Sequence, residues 1–458
     1  MPRSASIGID FGTTNSSVAR VSDTGSVDLV RFSNDSPSFR SLLYLEQHRT
    51  GSRRATQSFT GPEAIARYLS RHTHAEESPG RLIQSLKSYL SVRTLTGTEV
   101  FGRHYTLEDL IARILTDLRR AAEAHFGHSI SHATVGRPVR FVGADDSEDD
   151  LFAQQRLTTA FQIAGFDEVR FELEPIAAAF SYQSTLTRDE LILIGDFGGG
   201  TSDFCLLHAG PTWRARAHSP EKGPGRQILG TAGVPLAGDS FDARIVRYLV
   251  SPALGADALV STLGGSPVPA VPAWIYSNLE RWHYLSFLRT RAVDDLLRRA
   301  HQRALNQLKS TSAAHQTAIP DQTAAARIAA LTTLIDEDLG YQLHAAVAQT
   351  KLVLSAGETA AFHFAEAGLD LHASVTRADL ERWISPELEA IRSAVDHLLE
   401  STNTTPEEVD RVFLTGGTSF VPAVRRIFED RFTPARVTSG DAFTSVAQGL
   451  ALSAAASG

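Results

Sequence analysis

The sequence predicts an α/β protein built from two similar halves, and three observations carry that reading. Apolar runs of strand length alternate with stretches of helical spacing along most of the chain. One pattern occurs twice: Ile9-Asp10-Phe11-Gly12-Thr13-Thr14 and Ile194-Gly195-Asp196-Phe197-Gly198-Gly199-Gly200-Thr201 each run an apolar strand into Asp-Phe-Gly and a Gly/Thr turn. Two copies so far apart imply two similar lobes facing each other. Finally, 458 residues exceed what a single hydrophobic core usually serves, and no repeat of solenoid period occurs.

The elements follow in chain order. Ser6–Arg20 reads as strand, turn and returning strand. Leu107–Phe126 has the helical spacing of Leu110, Ile111, Ile114, Leu115 and Leu118. His132–Val142 reads as a strand. The acidic run Asp145–Asp150 opens a helix through Ala164, its carboxylates near the positive helix end. Glu174–Tyr182 begins another helix, and Leu191–Asp196 is an apolar strand followed by a glycine loop and a second strand through Leu207. Ser251–Pro272, rich in Gly, Pro and Ala, reads as a loop. Asn278–Leu308 and Thr323–Ala356 read as long helices. Val412–Leu414 is a strand entering Gly416-Gly417, and Ser445–Ala455 a small-residue helix.

Composition excludes several classes. The formal net charge of -8, with no basic stripe in sight, argues against a general grip on nucleic acid. Cys205 is the only cysteine, so intramolecular disulfides are impossible and a reducing compartment is allowed. The N-terminus reads as a first strand and not a signal peptide, and no stretch approaches the roughly 20 apolar residues of a membrane span. A cytoplasmic protein with neither nucleic acid nor membrane as partner is expected. Lysine is scarce: Lys87, Lys222, Lys309 and Lys351 stand against abundant arginine. A lysine kept against that bias suits a task that needs a compact point charge.

The two turns carry the chemistry. Glycines let backbone N–H groups approach an anion closely. Thr13, Thr14, Asn15 and Thr201 add hydroxyl or amide donors, and Asp10, Asp196 and Asp203 offer hard oxygens suited to a hydrated Mg²⁺. Either turn alone reads as a tight hairpin; the pair reads as a clamp on a polyphosphate and its metal. The kinase His-Arg-Asp loop and the Walker A sequence are absent.

Five motifs in order resemble one family. Ile7-Gly8-Ile9-Asp10-Phe11-Gly12-Thr13-Thr14-Asn15-Ser16 and Asp196-Phe197-Gly198-Gly199-Gly200-Thr201-Ser202-Asp203 are similar to the two phosphate loops of heat-shock-70 chaperones. Glu174-Pro175-Ile176-Ala177-Ala178-Ala179, Gly238-Asp239-Ser240-Phe241-Asp242 and Leu414-Thr415-Gly416-Gly417-Thr418-Ser419 resemble the helix after their crossover, their Gly-Gly-Asp-x-Phe-Asp turn and their adenosine loop. Ser85-Leu86-Lys87-Ser88-Tyr89 and Gly136-Arg137-Pro138 resemble YegD-type members, which lack the peptide-binding domain; the same is expected here.

The resemblance implies a two-lobed, actin-like ATPase of duplicated ribonuclease-H-like α/β lobes, with ATP or ADP and Mg²⁺ in the central cleft. It implies lobe I over 1–188 and lobe II over 189–437, the latter with an enlarged helical region about 251–355 and the adenosine loop. The segment 438–458 is expected to return to lobe I as a helix. By the same resemblance Gly12, Thr13, Thr14 and Asn15, then Gly198, Gly199, Gly200 and Thr201, cradle the phosphates. Asp10, Asp196 and Asp203 hold the hydrated metal, and Lys87, Glu174, Thr201 and Asp203 are the catalytic set. Gly238, Asp239, Lys351, Leu352, Ser355, Gly416, Gly417, Phe420 and Asp441 border the nucleotide. The chain departs from the family pattern at the base: Ala348 replaces a Glu, and Leu352 and Phe420 replace two arginines. An apolar slot with loose base selectivity is expected there.

Other features read blandly. Arg71-His72-Thr73-His74 is a polar loop, Asp145–Asp150 a solvated helix start, and Cys205 a buried small residue. Arg170 falls where the family meets J-domain partners, but a salt-bridged surface arginine is an equal reading. The expected function is a chaperone-like ATPase whose clients and co-chaperones the sequence does not name. An actin-like filament protein and a small-molecule kinase of the same superfamily remain open.

Overall fold

A computed structural model describes residues 6–50, 53–73, 79–183, 186–212, 227–262, 265–281, 284–312, 323–440 and 444–457. The chain forms two compact units, Met1–Gly238 with Leu388–Gly458, and Asp239–Glu387.

The first unit holds two sheets of the same topology. In one, Ser6–Phe11 pairs antiparallel with Asn15–Val21, which continues to Val27–Leu29. On its other side it pairs parallel with His132–Arg137, which pairs parallel with Glu168–Leu173. In the other, Glu190–Phe197 pairs antiparallel with Ser202–Ala209, which continues to Gln227–Val234. On its other side it pairs parallel with Arg411–Thr415 and then Val437–Ser439. The duplication expected from the two Asp-Phe-Gly turns is therefore present in the strand order.

Local sequence sets the helices that cover the sheets. Leu107–Phe126 starts at a reciprocal cap between Thr106 and Asp109 and stops at Gly127, whose φ of 75° few other residues adopt. Its expected apolar face is buried with Ile7, Ile9 and Val135. Ser147–Ile163 starts at Asp146, which accepts from the N–H groups of Glu148 and Asp149. The strand read over His132–Val142 ends at Arg137, because Pro138 has no N–H for the ladder. On the second sheet Phe197, Phe204 and Phe428 pack edge-on or tilted, and Cys205 is buried as expected.

The helix Ser445–Ser457 packs on Ser6–Phe11 and on Glu174–Gln183. Two glycines permit that approach. A Cβ on Gly8 would lie 2.3 Å from Ala451 N, and one on Gly449 would lie 1.6 Å from Ala177 O. Backbone thus meets backbone at the root of the strand that enters the first turn.

The second unit is mostly helical and corrects two expectations. Within Ser251–Pro272, read as a loop, Leu259–Thr262 and Gly265–Pro269 form an antiparallel hairpin. The helices read over Asn278–Leu308 and Thr323–Ala356 are each broken. Leu285–Leu288 and Arg291–Ser312 are separate, as are Ala324–Asp336 and Gly340–Ala356. Asp338 takes a left-handed φ of 56°, which a helix interior cannot hold. A second hairpin, Thr359–Glu366 with Leu369–Thr376, buries Ala360, Phe362 and Phe364. Among the described residues no helix is long and apolar enough to cross a membrane.

Gly449→Leu should destabilise the protein by about 1–3 kcal/mol, because the side chain must displace a backbone carbonyl. Exposed Ala455→Leu on the same helix should change stability by no more than about 0.5 kcal/mol. Urea unfolding of both variants checks this; equal midpoints would mean the close packing is not needed.

Candidate functional site

The matched registers place the two turns alike. Asp10 faces Ser17 and Phe11 faces Ser16; Asp196 faces Asp203 and Phe197 faces Ser202. Four residues thus lie between the last facing residues of each pair, Gly12 to Asn15 and Gly198 to Thr201. Only glycine fits at the first of these, since a Cβ on Gly12 would lie 2.1 Å from Asn15 O. The turns are neighbours: a Cβ on Gly200 would sit 3.3 Å from Thr13 Oγ1 and 3.6 Å from Ser88 Oγ. Gly416, at φ 84°, lies against Phe197 O, and Thr418 Oγ1 donates to Gly198 O at 3.3 Å, so the Gly416-Gly417 loop is seated on the second turn.

Lys87 sits on the short turn Leu86–Tyr89, preceded by Ser85 in the left-handed region at φ 58°. A non-glycine residue held there stores strain that the surroundings must impose. Lys87 is buried, and its Nζ donates to Glu174 Oε1 at 2.5 Å. A solvated surface lysine is therefore excluded. Glu174 is also buried and opens the helix Glu174–Gln183 at the end of the strand Glu168–Leu173.

Three aspartates share this charged interior. Asp196 and Asp203 are buried; Asp10 keeps some accessible surface but is densely hemmed in. Burial first, then Glu174, raises the carboxyls of Asp10 and Asp203 to about 7; Lys87 pulls Asp10 part of the way back, and the Thr201 hydroxyl, the Val139 N–H and then Lys87 do so for Asp203. Asp196 is raised well above the ordinary range by burial and by Glu174, Asp10 and Asp203. Burial pulls the Lys87 ammonium down, yet Glu174, Asp10 and Asp203 outweigh it, so lysine stays charged. Asp203 Oδ1 accepts from Val139 N–H at 2.7 Å and the Thr201 hydroxyl also bonds to its carboxylate, while Thr14 Oγ1 is buried without a hydrogen-bond partner.

These features fit a hydrated divalent cation. Among the described residues no three His, Cys, Asp or Glu side chains converge as direct ligands of an ion. Mg²⁺ usually retains several waters, and the carboxylate oxygens of Asp10, Asp196 and Asp203 are acceptors for such waters. The donor set is all oxygen, as that metal prefers.

The remaining expected residues are placed as follows. Gly238 and Asp239 open the helix Gly238–Ile245. In the second unit Lys351 pairs with Asp242 at 2.8 Å, and Ser355 Oγ donates back to Lys351 O. Leu352 and Phe420 are 62% and 52% exposed. Asp441 lies outside the described residues, as does His74, together with the side chains of the rest of that segment. Arg170 pairs at the surface with Glu168. Asp150, expected to be solvated, instead holds Arg137 and accepts from Phe141 N–H. It thereby fixes the loop whose Val139 N–H reaches Asp203. That N–H went unseen in the sequence; the only signal was Pro138, which ends the strand just before it.

A cavity of about 420 Å³ lies at the far end of the second sheet, beside Asp189, Glu190, His208 and Asp410. Its carboxylates are already engaged: Asp410 by Leu191 N–H, Asp189 by Thr212 N–H and Glu190 by Arg188. It is not the site of the buried cluster.

The raised carboxyls make stability depend on pH. Asp10 and Asp203 bind more protons folded than unfolded between about 4 and 7, so their contribution is full below the unfolded value of 3.8 and lost as pH rises through 7. Metal-free protein should lose stability from pH 5 to pH 8, and Asp203→Asn should lose less. Urea midpoints at both pH values check this; parallel curves would contradict it.

The Hsp70 protein family model matches residues 6–255 and 332–457, leaving 256–331 outside. The match covers well over half the chain and takes in both turns, Lys87 and Glu174. Members are nucleotide-binding ATPases of chaperone type. The chain belongs to the Hsp70 protein family and has its two-lobed, actin-like α/β fold.

Proposed function

We propose that this protein is a chaperone-type ATPase that binds ATP on the two neighbouring turns and hydrolyses it at Lys87 and Glu174. The observation that carries the reading is the buried 2.5 Å Lys87–Glu174 pair among Asp10, Asp196 and Asp203. Isolated buried charge costs several kcal/mol per ion unless it is paired, so this cluster is retained for something other than stability. Family membership favours this reading over a filament protein or a small-molecule kinase.

The residues divide the work. N–H groups of the turns 12–15 and 198–201, apart from that of Gly198, which donates to Thr201 O at 3.0 Å, and the hydroxyls of Thr13, Thr14 and Thr201 receive the phosphates. Asp10, Asp196 and Asp203 would hold hydrated Mg²⁺, which supplies the positive charge that phosphates and carboxylates both need. Lys87 has three donors; Glu174 takes one, and the others orient the attacking water and the γ-phosphate. Phosphoryl transfer depends mostly on such positioning and charge stabilisation. Phe420, exposed beside the second turn, offers a face for the base.

Two outcomes follow. Lys87→Ala should still bind ATP but lose about 10²–10³ in single-turnover hydrolysis; equal rates would remove Lys87 from the chemistry. Stacking tolerates any base and contributes about 1–3 kcal/mol. Calorimetry should therefore find ATP and GTP bound with similar affinity, both weakened in Phe420→Ala. Strong selectivity for ATP, or unchanged affinity in the variant, would contradict the stacking role.

A further inference from the structure

The match to the family model leaves out residues 256–331. That stretch carries eight Arg and Lys against five Asp and Glu, a net +3, in a chain of net -8. The charge is concentrated on the helix Arg291–Ser312. Val293, Leu297, Ala300 and Ala304 are buried on one side of it, and the helix packs against Ala324–Asp336. At about 100° per residue, Arg291, Arg299 and Lys309 fall on the opposite side and Arg303 on its flank. All four are exposed, and among the described residues none is paired with a carboxylate. Arg298 is engaged by Asp294 at 2.6 Å, and exposed Asp295 is the counter-charge on this face.

The hairpin Leu259–Thr262/Gly265–Pro269 adjoins the same helix, with Ser261 N–H donating to Gln307 Oε1 at 2.9 Å. It buries Val260 but leaves Leu259 52% and Val268 38% exposed. Its edges are poor templates for another strand. Pro267 and Pro269 lack N–H groups, and the Ser261 N–H is already used. A partner must therefore be met by side chains.

We propose that the exposed face of Arg291–Ser312, with the adjoining hairpin, is a docking surface for an acidic segment of a partner protein that also carries apolar side chains. Guanidinium forks match carboxylates two bonds at a time, and Leu259, on the face of the hairpin opposite to buried Val260, supplies the apolar part. The surrounding chain of net -8 repels a long polyanion, and apolar residues are no asset on a phosphate backbone, so a protein segment is favoured over nucleic acid. The proposal is independent of the nucleotide chemistry.

The test uses the full chain and a short labelled peptide alternating Glu with Leu, followed by fluorescence anisotropy. Arg291→Glu/Arg299→Glu/Arg303→Glu should weaken binding by about tenfold or more, the sum of three exposed charge pairs. The corresponding Gln triple variant, which leaves the helix intact, should fall between, and Arg120→Glu on the first unit should bind as wild type. An all-Glu peptide should bind more weakly than the Glu/Leu peptide. No peptide binding, or equal binding by all variants, overturns the proposal. So does an oligonucleotide that outcompetes the peptide, which would mark a general polyanion site. Self-association of the wild type that the Glu variant abolishes would assign the face to a second copy and likewise overturn it.

Discussion

Four carboxylates and one ammonium share a dehydrated space in the first unit, and much of the surrounding structure serves to hold them there. Glu174 takes Lys87, which leaves Asp10, Asp196 and Asp203 facing one another with too little positive charge. Two ions in a buried pair only roughly repay their desolvation; three further acids beside them do not. The metal-free state relieves this by taking up protons, which is the meaning of carboxyls raised to about 7. A cation relieves it better. The orphaned Thr14 Oγ1 points the same way, since a buried polar atom without a partner is costly in a finished interior.

Duplication accounts for half of this arrangement and departure from duplication for the rest. Asp10 and Asp196 occupy the same register position in sheets of the same strand order. Their cross-strand partners differ: Ser17 in one, Asp203 in the other. That single difference puts an extra carboxylate on one side, where Val139 N–H and the Arg137–Asp150 clamp fix it. Lys87 has no counterpart in either sheet. It arrives on a separate turn held by the strained Ser85, so the only cation of the cluster is positioned by sequence outside the repeat.

Several strands and the two turns were legible because local signals agreed with the fold: apolar runs, Asp-Phe-Gly, and the helical spacing of Leu110, Ile111, Ile114, Leu115 and Leu118. Lys87 stood out through the scarcity of lysine. What was illegible depended on distant partners or on backbone. The N–H of Val139 carries no side-chain signature, and Asp150 looked like any acid at a helix start until Arg137 was found beside it. The hairpin at Leu259–Pro269 was hidden because its prolines read as loop, although an edge strand tolerates them. The break at Asp338 interrupts a pattern whose helical spacing continues on both sides, so periodicity alone ran through it.

The central claim is that the acidic cluster is completed by a divalent cation that arrives with nucleotide. Mn²⁺ reports this directly, because free Mn²⁺ gives an electron paramagnetic resonance signal that shrinks on binding. Titration of Mn²⁺ with ADP into wild-type protein should remove the free signal far more effectively than titration without nucleotide. Asp203→Asn and Asp196→Asn should each weaken that uptake by about tenfold or more, the loss of one charged contact in a buried site. Uptake that ignores nucleotide, or that is unchanged in both variants, would show that the cluster does not hold the metal.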